Sequence, residues 1–232
     1  MINLNIKNKI AKEVIEWVIL IIIAIVFAQI INNVVITNSY IPTPSMETTL
    51  PVGSRLFGFR LNYLFSKPNR GDIVIFDYGF ECKNCKRMYQ KNADEKCPYC
   101  GEPSKTGKKV HYIKRVVGLP GDHIEVKADY TAKSSSFKIL QFKNEMDVSC
   151  GHVYINGEQL NEDYLAEPMI VDENRYKSVD LVVPDDCYFV MGDNRNNSED
   201  ARFWPNQFLS KKDIEAKAYF IYWPFNKFGI VK

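Results

Sequence analysis

The stretch RGDIVIF, residues 70–76, decides the fold. Arg-Gly-Asp is turn chemistry. The four apolar residues that follow suit a buried strand. The same alternation of turn and short strand recurs along the chain. Residues 112–117, YIKRVV, stop at the turn GLPGD. In VYINGEQL, 153–160, Asn156-Gly157 stands between alternating positions, the pairing favoured in two-residue hairpins. YFVM, 188–191, runs into GDNRNNSED, and AKAYFIYWPF, 216–225, supplies one more strand. Residues 127–149 are polar and weakly patterned and predict a strand pair with a loose loop. Beyond the N-terminal region no long amphipathic helix and no internal repeat is found, so the globular part is expected to be all-β, built of antiparallel sheets.

The chain has 232 residues, 46% of them hydrophobic, enough for one sizeable core or two small ones. Its net charge of +2 lacks the strongly basic balance of a nucleic-acid binder. Aromatics make up 13% and are interleaved with Val and Ile, a mix that favours strands. Residues 17–36, WVILIIIAIVFAQIINNVVI, carry no charge and meet the length of about 20 residues that a membrane-spanning helix needs. Lys7, Lys9 and Lys12 precede this run, and no Lys or Arg follows until Arg55. The positive-inside rule then makes 1–12 a cytoplasmic basic tail, 13–36 a transmembrane anchor, and the remainder extracytoplasmic. A cleaved signal peptide has a similar basic start, but its apolar region is usually ~7–15 residues and ends in small residues. Here Asn-Asn-Val-Val-Ile follows, which favours a permanent anchor. LFGFRLNYLF, 56–65, is unusually apolar for a loop and reads equally as a core strand or as a segment dipping into the membrane interface.

Residues 78–109 do not fit this pattern. They are rich in Lys, Cys, Gly and Pro, hold little that packs a core, and look inserted between two strands. They contain Cys82-x-x-Cys85 and Cys97-Pro-Tyr-Cys100-Gly101, with eleven residues between the pairs. Two residues between thiolates let one tight turn present both sulfurs to one ion, and two such turns complete a tetrahedral site. The spacing resembles a zinc ribbon or rubredoxin-like knuckle pair, which zinc suits and iron also fits. Disulfides or free thiols are the alternative, since the segment is expected outside the membrane. Four protein ligands leave no open position, so such a metal is structural rather than catalytic. Cys150 and Cys187 remain over, paired or single.

PTPSMETTL, 42–50, holds Ser45 among prolines at 42, 44 and 51. A serine hydroxyl is a weak nucleophile until a base takes its proton. None of the three histidines, His111, His123 and His152, sits in a triad context. A lysine serves as a base if it is neutral, and burial in an apolar setting favours the neutral form. In HYIKRVVGL, alternation puts Lys114 on one strand face with Tyr112 and Val116. Taken alone, Lys114 would be a solvated strand lysine, because Lys is rarely fully buried.

Taken together, the N-terminal anchor, PTPSMETTLP, RGDIVIF, IKRVVGLPGD and MGDNRNNSEDAR, in this order, resemble the bacterial type I signal peptidases. The resemblance covers about residues 13–77 and 110–205 and leaves the four-cysteine segment outside the family core. It implies an all-β catalytic domain of the kind shared with self-cleaving repressors, spanning 37–77 and 110–232, with one N-terminal transmembrane helix. It implies a serine endopeptidase of the bacterial plasma membrane that removes signal peptides from secretory preproteins with Ala-x-Ala-like sites, at the lipid bilayer, with no cofactor for catalysis and no nucleic acid. By matching position, Ser45 is the nucleophile, Lys114 the general base, and Ser198 the hydroxyl that orients the lysine amine. The Ser45 N–H and the Thr43 hydroxyl match the oxyanion donors, and Met46 helps line the substrate pocket. Asp193 with Arg115, and Asp200 with Arg202, match ion pairs that brace the site. Three positions depart from the family pattern: Pro44 stands where glycine is frequent, Thr48 where proline is usual, and Ala201 where many members have serine. The alternative is a membrane-tethered metal-ribbon interaction protein on an inactive peptidase scaffold, which would require the dyad to be lost.

Overall fold

The computed structural model describes residues 9–172 and 178–231. Lys7, with the rest of 1–8, lies outside the described residues. The chain opens with helix α1, Lys9–Ile30, and one π-helical turn, Ile31–Val35. Residues 11–30 are long and apolar enough to cross a membrane, and none of this span is buried against the rest of the protein. The uncharged run does not stay helical to its end: Ile36 already pairs with Phe59 in the first strand, because a sheet partner there takes over its backbone hydrogen bonds.

The described strands are β1 Ile36–Tyr40, β2 Arg55–Phe59, β3 Ile73–Glu81, β4 Met88–Gln90, β5 Lys108–Gly118, β6 His123–Lys133, β7 Asp147–Ile155, β8 Glu158–Gln159, β9 Met169–Ile170, β10 Val179–Val182, β11 Cys187–Met191, β12 Leu209–Ser210, β13 Ile214–Trp223 and β14 Gly229–Ile230. They form two antiparallel sheets. The larger has the order β1-β2-β13-β3-β5-β11-β12, with β14 on β13 and β4 on β3. The smaller has the order β10-β6-β7-β8, with β9 on β7. The fold is therefore mostly β with one N-terminal apolar helix, as the turn-and-strand pattern predicts.

RGDIVIF does what its composition demands. Val74, Phe76 and Tyr78 of β3 point into a core shared with Ile124, Val126, Val153 and Ile155 of the smaller sheet. Ile73 and Ile75 point the other way, into a cluster with Ile41, Met46, Leu50 and Leu56. Such two-sided burial leaves no polar face, which is why the strand reads as a continuous apolar run. At the β7–β8 turn, Asn156 and Gly157 both take positive φ, +53° and +86°, the pair of values that a two-residue hairpin with native twist requires. The weakly patterned 127–149 segment is the β6–β7 pair and its connecting loop. LFGFRLNYLF divides: Leu56 is buried in β2, while Leu64 and Phe65, on the short helix α2, Asn62–Phe65, are 69% and 89% exposed.

The four-cysteine segment is the tip of the β3–β5 hairpin. Its outer residues are not separate from the sheet, because β3 continues to Glu81 and β5 starts at Lys108, where Glu81 and Lys108 are partners. β4 doubles back along β3, with Gly79 opposite Gln90. A Cβ on Gly79 would come 2.1 Å from the carbonyl oxygen of Tyr89, and backbone cannot step aside as a side chain can. Gly79→Ala is therefore expected to destabilise the protein by about 1–3 kcal/mol, the usual cost of forced overpacking, in a urea unfolding curve.

Candidate active site

Ser45 lies in a three-residue 3₁₀ turn, Pro44–Met46, entered from an extended Thr43. Proline suits the first position of such a turn because its fixed φ is already helical and its missing N–H would have had no partner. Below the turn, Met46 is buried in the apolar cluster of Leu50 and Ile73, and Leu50 N–H bonds Met46 O at 2.8 Å. From the other side Asn194 holds it twice: its N–H donates to Ser45 O at 3.1 Å, and its Nδ2 donates to Pro44 O at 3.1 Å. The hydroxyl of Ser45 is thus fixed from below and from the flank, and Thr43 Oγ1 lies 3.4 Å from Ser45 Oγ. As the second residue of the turn, Ser45 has no carbonyl one turn back to receive its N–H.

β5 brings Lys114 to this hydroxyl. Lys114 Nζ is 2.8 Å from Ser45 Oγ and 3.1 Å from Ile113 O. The side chain is 4% exposed. Burial lowers its pKa from the usual lysine value to about 8, against the opposing pull of Asp200 and Asp193. The amine is thus held where both protonation states are accessible near neutral pH.

The next residue, Arg115, forms a two-pronged pair with Asp193, Nε to Oδ1 at 2.8 Å and Nη2 to Oδ2 at 2.7 Å. Arg202 and Asp200 do the same, at 2.8 Å on both prongs. Burial alone would raise the Asp200 carboxyl, but Arg202, the Gly192 N–H and the nearby Ser198 hydroxyl hold it below the usual carboxylate range. Ser198 Oγ itself is buried and meets no partner in hydrogen-bond geometry. The hydrogen bond expected from it to the lysine amine is not formed here, since Lys114 Nζ faces Ser45 and Ile113. Ser198 stands instead against Gly192, where a Cβ would lie 2.2 Å from its hydroxyl and 2.4 Å from Ser45 O. Glycine at 192 is what lets the two serines approach.

Sequence reading missed part of the support. Arg195 is fully buried and pairs with Glu162 through both terminal nitrogens, Nη1 to Oε2 at 2.9 Å. Tyr164 lies between the two arginine systems, its hydroxyl 2.6 Å from Glu162 Oε1 and its ring 4.1 Å below the Arg115 guanidinium. Arg195 was visible inside NRNNSED, but Glu162 and Tyr164 lie in a polar connection with no pattern. The three histidines each pair with a carboxylate away from Ser45: His111 with Glu215, His123 with Asp180 and His152 with Asp129.

A groove of about 680 Å³ runs past the Ser45–Lys114 pair, with Asn38–Met46 on one wall and Lys108–Lys114 on the other. Another cavity, about 450 Å³ and lined by Gln90–Ala93, Trp204 and Asp213, reaches neither residue.

The four thiols of the hairpin tip also converge. Their sulfurs lie within 4.8 Å of one another, with Cys82–Cys100 at 3.5 Å and Cys85–Cys97 at 3.6 Å. None is in a disulfide. A tetrahedral ion with bonds of about 2.3 Å needs sulfurs about 3.8 Å apart, so the set fits one. The two turns repeat one geometry: Lys86 N–H bonds Cys82 O and Gly101 N–H bonds Cys97 O, while Cys82 N–H bonds Arg87 O and Cys97 N–H bonds Glu102 O. The Cys85 N–H facing its sulfur brings the Cys82 thiol down to about 7, toward the thiolate that a metal binds. These four residues can hold a metal ion. Cys150 and Cys187 are both free thiols.

The family model described as signal peptidase, peptidase S26, matches residues 14–223. The chain belongs to the S26 signal peptidase family. It is 31% identical over 208 residues to a probable signal peptidase I-2 of Synechocystis, covering 90% of this chain and 72% of that protein. It is 31% identical over 228 residues to signal peptidase I of Bacillus amyloliquefaciens, covering 95% of each. A solved signal peptidase I from Enterococcus faecalis aligns at 26% identity over 66% of this chain and 97% of that one, with a TM-score of 0.35. The S26 match takes in both walls of the groove, so the Ser45–Lys114 pair lies within the S26 region.

Three outcomes follow from this geometry. With Lys114 as the proton acceptor proposed below, only the neutral amine can act, so kcat/KM is expected to rise with pH and level off above about 8, with an apparent pKa near the value for Lys114. The same shift has a stability consequence: unfolded lysine binds its proton more tightly, so stability falls as pH drops from 10.5 to about 8 and is flat in this respect below it. Glu162→Ala strands a buried guanidinium and is expected to cost on the order of 3–5 kcal/mol in equilibrium unfolding.

Proposed function

We propose that this protein is a membrane-anchored serine endopeptidase that removes signal peptides from secreted preproteins with a Ser45/Lys114 dyad. The observation that carries the reading is a buried lysine amine 2.8 Å from a serine hydroxyl at the side of a groove. Its S26 relatives carry the name signal peptidase I, and the activity is a peptidase's.

The chemistry uses this chain's residues alone. Ser45 Oγ attacks the scissile carbonyl carbon as its proton passes to Lys114 Nζ. The oxygen of the resulting tetrahedral adduct takes hydrogen bonds from the Ser45 N–H and the Thr43 hydroxyl. One such donor is worth about 2.7–4 kcal/mol in the transition state. The C–N bond then breaks, and Lys114 returns its proton to the departing amine. A water molecule, deprotonated by Lys114, cleaves the ester left on Ser45. Asp193 and Asp200 favour the ammonium form of Lys114 and so keep a buried amine basic enough to act. The two arginine–aspartate pairs fix the adjacent loop that carries Ser198. Pro44, beside the oxyanion donors, limits movement of the turn rather than removing a catalytic group.

Substrate residues before the cut bind extended along the groove, where Met46 and its neighbours leave room for small side chains of the Ala-x-Ala kind. In this reading 1–12 are cytoplasmic, 13–36 cross the bacterial plasma membrane, and the β domain of 37–77 and 110–232 lies outside it. Anchoring raises the effective concentration of the site at substrates already in the bilayer. The four-cysteine unit, 78–109, holds a structural zinc that keeps the hairpin tip folded, and the chemistry needs no cofactor.

Cleavage of a preprotein by the full chain in detergent tests the dyad. Ser45→Ala and Lys114→Met are each expected to lose on the order of 10⁴-fold or more in rate, with Ser45→Ala melting like the parent and Lys114→Met melting no lower than it. Cleavage at parental rate by either would overturn the assignment. Purified protein is expected to carry one zinc per chain, and Cys97→Ser to lose it with a lower Tm. No bound metal and unchanged melting would refute the metal reading.

A further inference from the structure

The groove extends well past the catalytic pair, and its far end is built by the hairpin that carries the four cysteines. β1 and β5 point the same way, because β1-β2-β13-β3-β5 is joined by antiparallel steps throughout and an even number of steps restores direction. Both run toward Ser45 and Lys114. β1 follows directly on α1, so the end of the groove that receives the start of β1 and β5 is the end nearest the anchor. In a signal peptide the apolar segment precedes the cut. A substrate drawn from the same bilayer therefore enters at that end and runs parallel to both strands, its cleaved bond last.

Alternation places Lys108, Val110, Tyr112 and Lys114 on one face of β5. At about 3.3 Å per residue, Lys108 lies about 20 Å from Lys114 along the strand. There Glu81 pairs with Lys108 on one side and with Met88 of β4 on the other, and all three line the groove. Met88 is 54% exposed, an apolar side chain held open at the end of a channel. Its strand is fixed from behind: Tyr89 is buried and donates to Ser104 Oγ at 2.9 Å, and the carbonyl of Arg87 accepts the Cys82 N–H.

We propose, resting on the peptidase reading above, that this far end is a subsite for an apolar substrate side chain five or six residues before the cleaved bond, with Met88 as its specificity-determining contact. The occupant is the end of the substrate's membrane segment. A thioether side chain is suited to it, because its three rotatable bonds adapt to differing apolar shapes.

The test uses the full, metal-loaded chain in detergent and two synthetic peptides. One carries eight residues before the cut, with Leu at the fifth and sixth positions upstream; the other stops four residues before the cut. Met88→Asp is expected to lower kcat/KM for the long peptide about tenfold, mainly through KM, the scale of one lost apolar contact. The short peptide is expected to be cut as by the parent, which also shows that the variant is folded. In a Ser45→Ala background, fluorescence binding of the long peptide is expected to weaken to the same degree on adding Met88→Asp. An unchanged ratio between long and short peptides would overturn the subsite. A parent that cuts neither peptide would instead overturn the peptidase reading on which it rests.

Discussion

One amine kept out of water organises the molecule. As the proposed base, Lys114 needs its lone pair free near neutral pH, and that requires removing it from solvent without leaving it so isolated that it loses all basicity. β5 meets the first condition by carrying the residue into the sheet, where Val74 is its cross-strand partner. The second is met by two carboxylates, Asp193 and Asp200, each clamped by its own arginine. The ion pairs therefore tune the base electrostatically as well as bracing a loop. Buried pairs of this kind are weak contributors to net stability, so their retention here makes most sense as positioning.

That loop is held at three levels. Asn194 grips the serine turn, Gly192 provides the space, and Arg195 anchors the middle to Glu162 and Tyr164. The arrangement explains how Ser45, on a short turn, is held against Lys114, on a long strand. The turn is rigid through prolines and Met46, the strand through its ladder, and the 192–202 loop ties one to the other.

Much of this was legible in the sequence, for physical reasons. IVIF announced a buried strand, Asn156-Gly157 announced the β7–β8 hairpin, and paired Cys-x-x-Cys spacing announced the converging thiols. Lys114 was readable only with the family motif beside it, because alternation places a lysine on a face but does not say that the face is covered. Glu162 and Tyr164 were not readable, since a buried partner for an arginine leaves no periodicity when it lies in an irregular connection. The strand boundaries at Ile36, Glu81 and Lys108 were missed for a related reason: ladder pairing extends strands through polar residues that composition assigns to a loop or an insert.

The central claim concerns the protonation of one group, and it can be read directly. The full chain in detergent, labelled with ¹³C at lysine Cε, can be titrated by NMR, with Lys114→Arg to assign the resonance. The account predicts that Lys114 titrates at about 8, well below the ordinary lysine value of about 10.4. A Lys114 resonance that titrates at that ordinary lysine value would contradict it.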